Sequence, residues 1–141
     1  MEKTKTYNFT DNIEEIVKLE AIVDSIGEEL GANDKLKFSV NLVLEELLSN
    51  TIFYGFKVKD VSNIITVSIS KQSNELIIVV KDNAIAFNIL EQEQKDMTGK
   101  SVEQQKVGGL GIHFVKKLTT FIKYKRINEF NYLTLSFNFN E

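Results

Sequence analysis

The stretch "NLVLEELLSNTIFYGF", residues 41–56, decides the fold, because it joins a helical apolar stripe to polar side chains at the edge of that stripe. At about 100° per residue, the apolar side chains cluster on one side of a helix: Leu36, Val40, Val43, Leu44 and Leu47. Glu46 and Asn50 lie one turn apart on the flank of that side, whereas Glu45 is expected to point to solvent. Such pairs are common at exposed helix edges, so Glu46 and Asn50 indicate a site only if other motifs converge on them.

Composition narrows the possible classes of function. The chain has 141 residues, of which 43% are hydrophobic and 26% charged, and this predicts one soluble domain over residues 1–141. A net charge of −3 gives no electrostatic reason to expect nucleic acid or an anionic membrane as a partner. The absence of cysteine and the single histidine, His113, exclude disulfides and multi-histidine metal sites. No signal-peptide core or membrane-spanning run is present, so we expect a cytoplasmic protein.

The first half of the chain predicts one strand followed by two helices. The strand covers about residues 3–9, and the first helix begins at a capping-box-like pair, Asp11 and Glu14, and ends at Gly31. Its expected apolar stripe consists of Ile13, Ile16, Val17, Ile22, Val23, Ile26 and Leu30. The second helix begins near residue 33 or 34 and ends at Gly55.

The second half predicts two hairpins separated by a polar segment and a helix. "NIITVSISK" and "NELIIVVKD" form the first hairpin, and "FIKYKRI" and "YLTLSFNF" form the second. Residues 91–106 are polar and predict a mobile loop, and "VGGLGIHFVKKL" opens an amphipathic helix. The expected fold is α+β: a two-layer sandwich whose mixed, mostly antiparallel sheet is covered by helices on one face.

A second polar motif follows a β-rich run in "KDNAIAF", residues 81–87. Asp82 ends the run and small residues follow, including Ala84 and Ala86, before Phe87. Small side chains after a strand let another molecule approach the backbone. The alternative is a strand-exit turn in which the Asp and Asn side chains make only local hydrogen bonds.

A third motif is the glycine cluster formed by Gly108, Gly109 and Gly111. Glycines before a helix N-terminus let backbone N–H groups converge on a phosphate. The spacing matches neither the Walker pattern nor a dinucleotide-binding fingerprint, and a flexible loop before a helix explains it equally well.

Together, in this order, the three motifs resemble those of the GHKL ATPase superfamily, which includes histidine-kinase catalytic domains, gyrase, MutL and heat-shock chaperones. The length, the leading strand and two helices, and "NLVLEELLSNTIFYGF" are most similar to the small, stand-alone anti-sigma-factor serine kinases. The resemblance implies that Glu46 is the general base and Asn50 a Mg²⁺ ligand. It also implies that Asp82 accepts a hydrogen bond from adenine and that the glycine cluster closes over the phosphates of ATP or ADP.

The sequence departs from the family pattern on the adenine side. Ala84 stands where the family usually has glycine, and Asn131 stands in place of the usual threonine contact, although its amide could still bond to adenine. Ala84, Ala86 and Asn131 are therefore expected to line a weakened adenine site. Tyr54 replaces a common histidine.

The resemblance implies an ATP-dependent serine/threonine kinase that phosphorylates a small STAS-type antagonist and sequesters a sigma factor. Homodimers are common in the family. One alternative is a nucleotide-binding or partner-binding module with weakened or lost phosphotransfer. Others are a GHKL ATPase or split-kinase half with a different partner, and a plain α+β interaction domain.

Overall fold

One antiparallel sheet forms the frame of the protein. The computed structural model describes residues 4–91 and 110–139. The strands are β1 (Thr4–Phe9), β2 (Ile65–Gln72), β3 (Glu75–Asp82), β4 (Phe121–Ile127) and β5 (Phe130–Asn138). They lie in the order β1-β2-β3-β5-β4, and every neighbouring pair is antiparallel. The predicted α+β sandwich is confirmed, and the described part of the sheet contains no parallel pairing.

In the described part of the chain, three α-helices cover the sheet: α1 (Val17–Leu30), α2 (Asp34–Asn50) and α3 (Leu110–Leu118). A 3-10 turn, Ile13–Ile16, precedes α1, and α2 continues into a π-helical turn, Thr51–Gly55. Alternate side chains of the central strands are buried against these helices: Ile65, Val67, Ile69, Leu76, Ile78, Val80, Leu133, Leu135 and Phe137. The alternation places the hydrophobic core on one face of the sheet, as expected.

Local polar contacts set the ends of the first two helices. Gly31 adopts φ 84° at the end of α1, and the Asn33 side chain accepts a hydrogen bond from Leu36 N at 2.8 Å to cap α2. Both predicted boundaries are confirmed. The predicted capping box at Asp11 and Glu14 is wrong, because Asn12 accepts from the Glu14 N–H instead.

Asp11 has a different role, because it holds the segment before β2. Its carboxylate accepts from Asp60 N at 3.0 Å and from Asn63 Nδ2 at 2.8 Å, and the Asn63 bond is the largest cause of its lowered pKa. The expected apolar stripe of α1 is also corrected at one position: Val17 is 80% exposed and Leu19 is fully buried.

A buried cation joins α1 to α2. Lys37 Nζ lies 3.1 Å from Asp24 Oδ1 and 2.5 Å from Glu28 Oε1. Its aliphatic stem crosses α1 at Gly27, where an added Cβ would lie 2.8 Å from Lys37 Cε. These contacts fix the position of α2, the helix that carries two of the predicted site residues.

The segment between β3 and α3 is described only in part. A 3-10 turn covers Ile89–Glu91, and the rest of the predicted loop, together with Gly108 and Gly109, lies outside the described residues. The helix predicted after the glycines is confirmed as α3, with Ile112 and Val115 buried.

Candidate functional site

A cavity of about 220 Å³ lies between the end of α2, the turn after β3 and the inner face of the sheet. Its lining consists of Leu47, Asn50, Thr51, Tyr54, Gly55, Val80, Asp82, Ala84, Ile85, Phe87, Ile89, Ile112, Tyr124, Asn131 and Leu133. The fold therefore brings together Asn50, Asp82, Ala84 and Asn131, which the sequence predicted to share a site. Ala86 is exposed and is not among the lining residues.

The end of α2 forms one wall of the cavity. The helix widens after Asn50, and Phe56 N donates to Thr51 O at 3.0 Å across the π-helical turn. Such turns often occur at functional sites. Here the turn brings Thr51, Tyr54 and Gly55 into the lining together with Asn50.

The two glutamates before Asn50 differ from the expected pattern. Glu46 is partly buried, and burial raises the pKa of its carboxyl, but it does not line the cavity. Glu45, predicted to point to solvent, is also partly buried and accepts from Asn41 Nδ2 at 3.1 Å. The predicted contrast in exposure is therefore wrong, because Glu45 folds back along α2 onto Asn41.

Asp82 is the buried ionisable group of the cavity, with 7% of its surface exposed. Its Oδ1 accepts from Asn131 Nδ2 at 2.9 Å and from Ala84 N at 3.0 Å. Burial raises the pKa of Asp82, whereas the two hydrogen bonds and the charge of Arg126 oppose that rise. Among the described residues, both donors to this carboxylate bond to Oδ1 and none bonds to Oδ2.

Asn131 is 6% exposed, and protein groups use all the hydrogen-bonding positions of its amide. Nδ2 donates to Asp82 Oδ1 at 2.9 Å and to Ile85 O at 2.8 Å. Oδ1 accepts from Tyr124 OH at 2.6 Å and from Phe87 N at 3.3 Å. In this structure the Asn131 amide holds the cavity wall and has no unused donor or acceptor, and its contact with a nucleobase stays a prediction.

The backbone of the turn after β3 is fixed on several sides. Ala84 O accepts from Arg126 Nη1 at 2.9 Å, and Ile85 N donates to Gly55 O at 3.3 Å. The methyl group of Ala84 lies beside Gly55, where an added Cβ would approach it to 3.0 Å. Gly55 therefore accommodates the methyl group at the position where the family pattern has glycine. The Asn83 side chain joins the turn to the segment before β2, because its Oδ1 accepts from Ile64 N and its Nδ2 donates to Ser62 O.

Sequence reasoning missed Tyr124, Arg126 and Gly55 as parts of this site. The alternation of "FIKYKRI" places Ile122 and Tyr124 on the partly buried face of β4. This pattern could have indicated that Tyr124 faces the interior. Nothing in the sequence showed that Arg126 reaches the turn after β3 or that Gly55 lies against Ala84.

The described residues contain no cluster of three acidic, histidine or cysteine side chains that could hold a metal by itself. Asn50 supplies one amide oxygen, which suits a hard cation that takes its other ligands from phosphates and water. Gly111 lies in the first turn of α3, next to the lining residue Ile112. These residues fit a Mg²⁺ ion that arrives bound to a nucleotide.

The size of the cavity also limits what it can hold. Whole ligands of drug size usually occupy about 300–1,000 Å³, and this cavity is smaller, with mainly apolar walls and few polar groups. It has room for a base and part of a sugar. A flat heterocycle with an exocyclic amino group would find apolar walls and a carboxylate acceptor.

Comparison with known proteins identifies the family of the chain. The family model of the histidine kinase-like ATPase domain matches residues 9–137. The chain belongs to this family. The match covers both α2 with Asn50 and the β3 turn with Asp82, so the two sides of the cavity are parts of one histidine kinase-like ATPase domain.

Solved structures share the fold of this histidine kinase-like ATPase domain at low sequence identity. The structure of the RsbU and RsbW domains of a Mycobacterium tuberculosis protein matches with a TM-score of 0.68 and 12% identity over 96% of the chain. The chain spans only 32% of that structure's length. The SiaB–SiaC complex from Pseudomonas aeruginosa matches with a TM-score of 0.63 and 14% identity, covering 94% of this chain and 88% of that one.

A further match is the Acinetobacter baumannii histidine kinase AdeS, with a TM-score of 0.52 and 17% identity over 99% of this chain and 70% of that one. At these identities the likeness shows the fold alone. No curated protein sequence matches the chain significantly. Among the described residues, no helix has the length and apolar character needed to cross a membrane.

Proposed function

We propose that this protein is an ATP-dependent serine/threonine protein kinase of the anti-sigma-factor type. The observation that carries the proposal is the convergence of Asn50 and Asp82 on one cavity sized for a nucleobase. Membership of the histidine kinase-like ATPase family supports ATP or ADP as the nucleotide. The matched structures with RsbW and SiaB in their names support a regulatory rather than a metabolic role.

The residues of the cavity have separate roles in the proposed complex. Asp82 Oδ2 accepts a hydrogen bond from the adenine amino group, and apolar side chains such as Ile112 and Leu133 cover the base. The Asn50 amide oxygen is a Mg²⁺ ligand, with phosphates and water completing the coordination. Gly108, Gly109 and Gly111 remain the predicted phosphate loop.

Glu46 is the proposed general base. When bound, Mg-ATP supplies the phosphoryl group that is transferred. The Glu46 carboxylate takes the proton of the substrate serine or threonine hydroxyl, and the raised pKa of its partly buried carboxyl improves it as a proton acceptor.

The proposed partners are a STAS-domain anti-anti-sigma protein, which is the phosphorylation substrate, and a sigma factor, which this protein sequesters. These partners would place it in the cytoplasm, where it could act as a homodimer. Support comes from the family resemblance and from the RsbW and SiaB–SiaC neighbours.

A second candidate is a regulatory module of the same fold that binds a nucleotide without efficient phosphotransfer. One observation favours it: Glu46 does not line the cavity that contains Asn50 and Asp82. The two candidates agree on nucleotide binding and differ on chemistry.

Phosphotransfer distinguishes them. The protein is incubated with Mg-ATP labelled at the γ-phosphate and with each STAS-domain protein encoded in the same genome. The kinase proposal predicts label on a serine or threonine of one of these proteins. Calorimetric binding of Mg-ATP without any labelled partner would favour the binding module.

Two matched variants test the assigned base. Glu46→Gln should abolish transfer while leaving Mg-ATP affinity within about twofold, because the base acts in the transition state. Glu45→Gln, next to it on α2 and bonded to Asn41, should keep transfer. Equal activity of the two variants would show that Glu46 is not the base.

A further inference from the structure

We propose that Tyr124, acting through Asn131, is a positioning residue that sets the base selectivity of the cavity. The proposal rests on the proposed nucleotide-binding function and adds a residue of β4 that none of the three sequence motifs contains. Neither side chain needs to touch the base. Their effect reaches the ligand through Asp82.

The contacts around Asn131 allow one orientation of its amide. Two donors, Tyr124 OH and Phe87 N, lie at Oδ1, and two acceptors, Asp82 Oδ1 and Ile85 O, lie at Nδ2. Exchanging O and N would place an oxygen against a carboxylate and a carbonyl. Since a hydroxyl can donate or accept, the Phe87 N–H and the two acceptors at Nδ2 select this orientation. The Tyr124 hydroxyl, 2.6 Å from Oδ1, holds the oriented amide in place.

The amide orientation determines what Asp82 offers to a ligand. Asn131 and the Ala84 N–H both donate to Oδ1, which supports the ionised form of a carboxylate that burial disfavours. An ionised carboxylate can only accept hydrogen bonds. Oδ2 then favours a base with an amino donor, such as adenine, over guanine, which has a carbonyl at the equivalent ring position.

The other groups around Asp82 do not replace this contact. From β4, Arg126 adds a positive charge and donates to Ala84 O, without a hydrogen bond to the carboxylate itself. From the α2 side the cavity presents Asn50, Thr51 and Tyr54, of which only the tyrosine is ionisable. Within the described residues, Asn131 is the only side chain that donates to Asp82.

The test compares Tyr124→Phe with Tyr132→Phe. The first keeps the aromatic ring at the cavity and removes the hydroxyl. The second removes a hydroxyl from the same hairpin, at the register partner of Lys125, outside the cavity lining. Affinities for Mg-ATP and Mg-GTP are measured by calorimetry between pH 5 and 8, on variants whose fold is checked by circular dichroism.

In Tyr124→Phe we expect ATP affinity to fall about tenfold, the effect of one net hydrogen bond, while GTP affinity changes less than about twofold. The pH below which ATP binding is lost should also rise, because a less firmly held amide stabilises the Asp82 carboxylate less. Tyr132→Phe should match the wild type in both respects.

Asn131→Asp is the second variant and retains the size of the side chain. A second carboxylate beside Asp82 raises the pKa of the pair, so a shared proton would turn it into a donor. We expect the preference for ATP over GTP to fall further than in Tyr124→Phe. The pH midpoint of ATP binding should also be higher than in that variant.

The proposed function and this inference fail in different ways. Wild-type protein that binds neither nucleotide at millimolar concentration would overturn both. Wild-type protein that binds ATP, with Tyr124→Phe showing an unchanged ATP-to-GTP ratio and pH midpoint, would overturn the inference alone. Equal losses of affinity for ATP and GTP, with an unchanged pH midpoint of ATP binding, would also overturn the inference. Such a result would mean that Tyr124 has only a structural role.

Discussion

Gly55→Ala should destabilise the protein through one new contact, and a second substitution should remove the effect. The added Cβ would lie 3.0 Å from the Cβ of Ala84 and 3.5 Å from Thr51 Cγ2. Overpacking of this kind costs about 1–3 kcal/mol, and alanine recovers roughly 0.5–1 kcal/mol of backbone entropy relative to glycine in a helix. We expect Gly55→Ala to lower the free energy of unfolding by about 1 kcal/mol.

Ala84→Gly alone loses a buried methyl group, about 0.8 kcal/mol, and a similar amount in backbone entropy. In the double variant the new methyl group at position 55 occupies the space that Ala84 leaves. The backbone-entropy effects of the two substitutions are additive, so they cancel in a double-mutant cycle. The remaining packing effect should couple the two substitutions favourably by about 1–2 kcal/mol.

Urea unfolding of the four proteins, followed by circular dichroism, measures this coupling. Ala86→Gly is the matched control, because it makes the same change two residues further along the turn at an exposed side chain. Its combination with Gly55→Ala should be additive. Additivity within about 0.5 kcal/mol for the Gly55 and Ala84 pair as well would refute the packing argument.

Three further predictions concern the stability of the fold. Leu44→Ala, at a fully buried position of α2, should cost about 2–5 kcal/mol in urea unfolding. A loss below 1 kcal/mol would contradict the assigned core. Asn33→Ala should cost about 1 kcal/mol by removing the cap on Leu36 N, and an unchanged unfolding midpoint would argue against that cap. Burial raises the pKa of Glu46, so its carboxylate destabilises the fold above that pKa, and Glu46→Gln should stabilise the protein at neutral pH. This gain should disappear below about pH 4, where the wild-type side chain is protonated in both folded and unfolded states, and an equal gain at both pH values would refute the burial argument.

Much of the fold could be predicted because its signals are local. The apolar spacing of α2, the Asn33 cap and the alternation of the hairpin strands each depend on neighbouring residues. The start of the first helix could not be predicted, because Asp11 and Asn12 both suit a cap. A distant contact with the loop at Asp60 and Asn63 decides between them.

In the candidate site, too, local patterns could be read from the sequence, whereas contacts between separate elements could not. Residue type and position singled out Asn50 and Asp82, the family resemblance implied that they share a site, and the fold brings them to one cavity. The state of Asn131 depends on Tyr124 and Phe87, and the tolerance of Ala84 depends on Gly55. These are contacts between separate elements, which sequence spacing does not reveal.

The most direct test of the account is a titration of ¹⁵N-labelled protein with Mg-ATP, followed by the backbone amide signals. A nucleotide base in the cavity predicts the largest shifts at Asp82, Ala84, Ile85 and Thr51, with little change along β1 and α1. Absence of any shift at millimolar Mg-ATP, or shifts confined to residues outside the cavity, would contradict the claim that this cavity holds the nucleotide.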